Sequence, residues 1–112
     1  MNRRSGGLTV GSENVFADLG LPDAETHHLK AQLVSEIVRA ARARKLTQTG
    51  LGKAIGVSQP EVSRMYHGHF REYSVERLMN FLTALDREIE IVIRPRPPAG
   101  RKRRIAVKAV AA

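Results

Sequence analysis

The sequence predicts an all-α domain of five helices followed by one C-terminal β-strand, and three observations carry that prediction. Apolar residues recur at helical spacing along residues 29–41. Two short apolar patterns in 46–68, "LTQTGLGKAIGVSQPEVSRMYHG", are parted by a glycine. Residues 87–97, "REIEIVIRPRP", alternate charged and β-branched side chains at period two, the signature of a strand.

Taken in order, residues 1–12 are rich in Gly, Ser and Arg and read as a disordered N-terminus. The folded domain is expected over 13–94. Ser12 can cap a short helix carrying Val15, Phe16 and Leu19, which Gly20 and Pro22 end. Asp23 then caps a long helix to about Lys45, with Leu29, Leu33, Val34, Ile37, Val38 and Ala41 on one stripe and Arg39, Arg42 and Arg44 off it. Thr47 caps a third helix, which buries Leu51, Ala54 and Ile55 and stops at Gly56 in a left-handed C′ position. The fourth opens with "SQPE": Ser58 as N-cap and Glu61 three residues on make a capping box. Pro60 is tolerated in that first turn, where its missing N–H has no intrahelical partner. Val62 and Met65 face inward and Gly68 ends the helix. Ser74 caps the fifth, which reaches about Leu85 with Val75, Leu78, Leu82 and Leu85 on one face. The strand follows, and residues 95–112 form a basic, Pro-rich tail expected to be extended or disordered.

Composition bounds the function. At 112 residues, with 42% hydrophobic and 4% aromatic content and no Trp, the chain has material for one modest core. It has no cysteine, which excludes disulfides and thiolate metal sites. No run reaches the ~18 apolar residues of a membrane span. The arginines near the N-terminus lack the apolar stretch of a signal peptide, so a soluble, cytoplasmic and nucleoid-associated protein is expected. The net charge is +8, but residues 95–112 hold six basic side chains and no acid, leaving 13 basic and 11 acidic residues elsewhere. The folded part is therefore close to neutral.

Two helices joined by a short glycine turn are a helix-turn-helix signature. Gly52 is small where the first of the pair approaches the second, Gly56 takes the sharp turn and Val57 fills the elbow. The outward residues at the start of the second helix are Gln59, Pro60, Ser63 and Arg64, at the end that such motifs present to the major groove. Gln can bond adenine bidentately, Arg can bond guanine, and Ser can reach base or phosphate. Gln48, opening the preceding helix, is placed to meet a phosphate together with backbone N–H groups.

The stretch "LTQTGLGKAIGVSQPEVSRMYHGHF" resembles the helix-turn-helix of the lambda-repressor-like (Cro and XRE) superfamily. With the flanks "ENVFADLGLPDA" and "YSVERLMNFLTALDREIEIVIRP", the resemblance extends over about residues 13–95 and points to the HigA-type antitoxin branch. It implies a five-helix DNA-binding domain, a homodimer on a palindromic operator, repression of its own operon, and a cognate RelE/HigB-like toxin. The family's DNA-contact positions fall on Gln48, Ser58, Gln59, Pro60, Ser63 and Arg64. Gly50 beside Gly52 departs from the family's helix formers, and each Gly costs roughly 1 kcal/mol in a helix interior. Two alternatives are a stand-alone regulator without a toxin and a toxin-neutralising module with little specific DNA binding.

The chain holds no second strand of comparable strength, so the strand needs an outside partner. It can pair antiparallel with its own copy across a two-fold axis, with Ile89, Ile91 and Ile93 facing the helices and Pro95 and Pro97 stopping the ladder. The sheet edge of a toxin is the competing partner. The basic run 101–104 has three readings: a solvated tail, an arm along DNA phosphates, or a segment ordered by a partner. "GLGKAIG" lacks the spacing of a P-loop and the preceding strand of a dinucleotide site. His27, His28, His67 and His69 have no carboxylate or thiolate to complete a metal set. No catalytic triad or cofactor motif is present, so neither an enzyme nor a cofactor is expected.

Overall fold

A computed structural model describes residues 23–95 and 105–110. Among them are four helices: α1 (Asp23–Ala43), α2 (Gln48–Ile55), α3 (Gln59–Tyr66) and α4 (Val75–Ala84). These are the second to fifth helices of the sequence analysis. The expected first helix, with Val15, Phe16 and Leu19, lies outside the described residues, as do 1–12 and the basic run 101–104.

The longest helix, α1, buries Leu29, Leu33, Val34, Ile37, Ala40 and Ala41, so the apolar stripe includes Ala40 and leaves Val38 half-buried. It packs most extensively on α4, while α2 and α3 pack on each other. Ile37, Leu51, Val62, Met65, Leu78 and Leu85 are the largest fully buried side chains and bring all four helices or their ends to one core. Three aromatics complete it. Phe81 joins Leu78 and Leu82 on the inner face of α4, and Phe70 and Tyr73 seal the loop between α3 and α4. That loop is tied to α1 by the Lys30 ammonium, which donates to the Arg71 carbonyl at 2.8 Å, and by the His27 ring stacked on Phe70 at 5.1 Å.

All four helices end alike. The residue after the last turn is left-handed at Lys45, Gly56, Gly68 and Asp86, with φ of 57°, 83°, 94° and 62°. In each case the next N–H returns five residues: Leu46 to Ala41, Val57 to Gly52, His69 to Arg64, and Arg87 to Leu82. This is the Schellman closure, which satisfies carbonyls that the helix leaves open. Two of the four positions hold Lys and Asp rather than glycine, so the motif was only half visible in the sequence.

The expected strand is absent: among the described residues none is in a strand, and 88–95 forms neither helix nor ladder. Ile89 is half-buried against the core, but Ile91 and Ile93 are exposed rather than facing the helices. The reason is elementary. A strand exists only as part of a ladder, and the described residues offer this segment no second strand to pair with. Further on, Ile105 and Val107 are half-buried against the core.

Candidate nucleic-acid interface

Helices α2 and α3 are eight residues each, and the turn between them is set by Gly52, Gly56 and Ser58. A Cβ on Gly52 would lie 2.6 Å from the Val57 carbonyl oxygen, so this position accepts no side chain. The close approach is to the backbone of the turn, with the Ser58 carbonyl carbon and Val62 Cγ2 next at 3.5 Å. Gly56 takes its left-handed φ with nothing near its Cα face, a conformation that other residues adopt at a cost. Val57 is half-buried in the elbow.

Each helix is capped as its sequence implies. The Thr47 hydroxyl accepts from Gly50 N–H at 3.0 Å, and Ser58 Oγ accepts from Glu61 N–H at 3.3 Å. The capping box extends beyond the first turn of α3. Glu61 Oε1 takes a long bond from Ser58 Oγ at 3.4 Å, and its Oε2 accepts from the Tyr73 hydroxyl at 3.0 Å. The start of α3 is thus pinned to the loop before α4. The Tyr73 hydroxyl holds the Glu61 carboxyl below its ordinary value, with burial opposing and Ser58 and Arg64 assisting. Burial raises the Tyr73 phenol above its ordinary value, and the bond to Glu61 adds to the rise. Tyr73 is itself fixed, edge-on to Phe81 with the Arg77 guanidinium over its ring at 5.1 Å.

Of the six expected contact residues, Ser58, Gln59, Pro60 and Arg64 are exposed, and Gln48 and Ser63 are half-exposed. The fold joins two of them directly: Gln59 Nε2 donates to Gln48 Oε1 at 2.8 Å. That bond leaves Gln48 both amide hydrogens to donate and Gln59 one donor and its carbonyl oxygen, the pair that adenine's edge requires. Ser58 differs, since its hydroxyl is engaged in the cap. Ser63 offers its side chain while its backbone carbonyl is met by His67 Nδ1 at 2.7 Å, which orients the imidazole at the end of α3. Tyr73 was not singled out in the sequence. Its signal was available, because a tyrosine beside a core needs a partner for its hydroxyl and Glu61 is the half-buried acid facing that loop.

Among the described residues no helix is long and apolar enough to cross a membrane. Comparison with known proteins agrees with the geometry. A family described as a helix-turn-helix domain matches residues 15–94. A solved structure assigned as an XRE-family transcriptional regulator is 37% identical, superposes with a TM-score of 0.73, and is matched over 80% of this chain and 100% of its own. No curated protein matches the chain. The α2–turn–α3 geometry, its exposed polar face and these two matches lead to one conclusion: the chain belongs to the helix-turn-helix DNA-binding family, as a regulator of the XRE type.

Proposed function

We propose that the chain is a dimeric, sequence-specific repressor in which α3 reads the major groove of a palindromic operator. The observation that carries this is the Gln48–Gln59 bond at 2.8 Å, which orders an adenine-reading amide before DNA arrives. Gln59 and Arg64 read bases. Gln48 donates to a phosphate with the backbone N–H groups at the start of α2, and Ser63 and Pro60 fill the space between protein and duplex. Ordering the amide beforehand removes part of the entropic cost of fixing it at the interface. DNA binding in turn implies an intracellular site of action.

The dimer forms through residues 88–94. An antiparallel self-pair centred on Ile91 sets Glu88 opposite Arg94 and Ile89 opposite Ile93, giving one all-isoleucine face, with Glu90 opposite Val92 on the other. The antitoxin role, with a RelE/HigB-like toxin as partner, rests on the resemblance of residues 13–95 to that branch. It is tested by co-purification with the product of the neighbouring gene.

The repressor reading is tested by titrating the protein onto a duplex from its own upstream region and onto a scrambled duplex, at two salt concentrations. Preference for the upstream duplex by about a hundredfold, retained at the higher salt, is the expected result. Equal binding that salt abolishes for both would reduce the interaction to phosphate attraction and overturn base readout.

A further inference from the structure

The four large apolar side chains that stand exposed among the described residues are Ile91, Val92, Ile93 and Val110, and none is on a helix. They fall in two short segments, 88–95 and 105–110. In the second, burial alternates over 105–108: Ile105 and Val107 are half-buried against the core and Ala106 and Lys108 are exposed, after which Ala109 and Val110 are both exposed. That is the period of an extended chain laid on an apolar surface. Neither segment makes a backbone hydrogen bond with another described residue, so each presents an open edge. Residues 105–110 also lie past the 15–94 that the family covers.

Size argues that both segments serve one interface. A six-residue strand is about 20 Å long, and a ribbon of that length and roughly 10 Å breadth covers on the order of 200 Å². Stable interfaces bury about 800 Å² per partner, so a self-pair of 88–93 needs further surface. It also uses only one edge of each strand and leaves the other open. Charge points to what covers that edge: 88–93 exposes Glu88 and Glu90 ahead of an exposed Arg94, and 105–110 exposes Lys108. An antiparallel register with Lys108 across from Glu90 sets Val107 opposite Ile91 and Ile105 opposite Ile93.

We propose that residues 105–110 of one chain pair along the outer edge of residues 88–93 of a second copy, widening the dimer's sheet to four strands. This rests on the strand-mediated dimer proposed above. The two-fold axis lies between the central strands, and each outer strand comes from the segment that follows the prolines.

The test is sedimentation equilibrium of the full chain as wild type, Val110→Asp, Lys108→Glu, Lys108→Glu/Glu90→Lys and Ile91→Asp. Val110 is 89% exposed, so its substitution leaves the monomer's fold intact. In the proposed register it brings an acid opposite Glu88. Val110→Asp and Lys108→Glu should each raise the dimer dissociation constant about tenfold, and the charge swap should restore it. If both single variants dimerise as wild type while Ile91→Asp is monomeric, the outer-strand proposal fails and the central strand pair stands. If Ile91→Asp also dimerises as wild type, both fail. A swap that does not restore the dimer overturns the pairing of Lys108 with Glu90. Should Val110→Asp instead lower the melting temperature of the dilute monomer, the segment pairs within its own chain and the proposal is wrong.

Discussion

A Cβ on Gly52 would meet the Val57 carbonyl oxygen at 2.6 Å, whereas one on Gly50 would meet Thr47 Oγ1 at 3.4 Å and Leu46 Cδ2 at 3.5 Å. The first neighbour is backbone inside a closed turn and cannot retreat without opening the motif. The second pair is ordinary van der Waals contact. Alanine gains roughly 0.5–1 kcal/mol over glycine in a helix, and overpacking costs about 1–3 kcal/mol. Gly50→Ala should therefore stabilise the fold by about 0.5 kcal/mol, and Gly52→Ala should destabilise it by roughly 1–2 kcal/mol. Urea midpoints that move in the same direction for both would contradict this. The Tyr73–Glu61 bond sets a pH dependence at the same scale. Glu61 is lowered in the fold, so its contribution is whole above the ordinary carboxylate range and is lost as pH falls through it. Tyr73 is raised, so its contribution is present below the ordinary phenol value and is lost as pH rises through it. Tyr73→Phe should lower the melting temperature at pH 7, and that deficit should shrink as pH falls below 4. A deficit constant from pH 3 to pH 7 would dissociate the bond from stability.

At the scale of the element, the bond between the two glutamines makes α2 and α3, in the proposed reading, one unit rather than two independent contacts. In the proposed complex Gln48→Ala removes a phosphate donor, and in the free protein it releases the Gln59 amide. It should weaken binding to every duplex and relax discrimination at the one base that Gln59 reads. Gln59→Ala should cost roughly 1–3 kcal/mol of discrimination at that base and leave affinity for unrelated duplexes near wild type. Competition titrations with singly substituted operators separate the two, and a Gln48→Ala protein with full discrimination would show that the pair is not coupled. The helices themselves were legible because Thr47, Ser58 and Ser74 are N-caps whose side chains act as their types dictate. Inward faces were legible where the spacing is regular, as along Leu29, Leu33 and Ile37. Phe81 was missed because it sits beside the Leu78–Leu82 line rather than on it, and Phe70 and Tyr73 because a loop has no period. The Gln48–Gln59 bond was beyond reach of local pattern, since it joins residues eleven apart across a turn whose angle only the packed core determines.

The whole molecule divides into a packed core that positions α3 and an apolar edge that the single chain leaves uncovered. The four helices, each with a Schellman end, share one core. Residues 88–95, by contrast, alternate at period two in the sequence without forming a strand, and the proposed dimer supplies the partner that a ladder needs. In the proposed dimer, function joins the two parts. A half-site contacted by one α3 gives limited affinity, and linking two such contacts through a dimer gains roughly 10²–10⁴ by effective concentration alone. The half-sites must then lie about one helical turn of DNA apart. Ile91 is 46% exposed in the single chain, so Ile91→Asp should leave the monomer's melting curve near that of wild type while setting two buried charges face to face in the dimer. The variant should sediment as a monomer, bind an isolated half-site as wild type does, and lose about a hundredfold or more on the paired site. If it remains a dimer and binds the paired site normally, association runs through another surface, and the exposed isoleucines await a different protein.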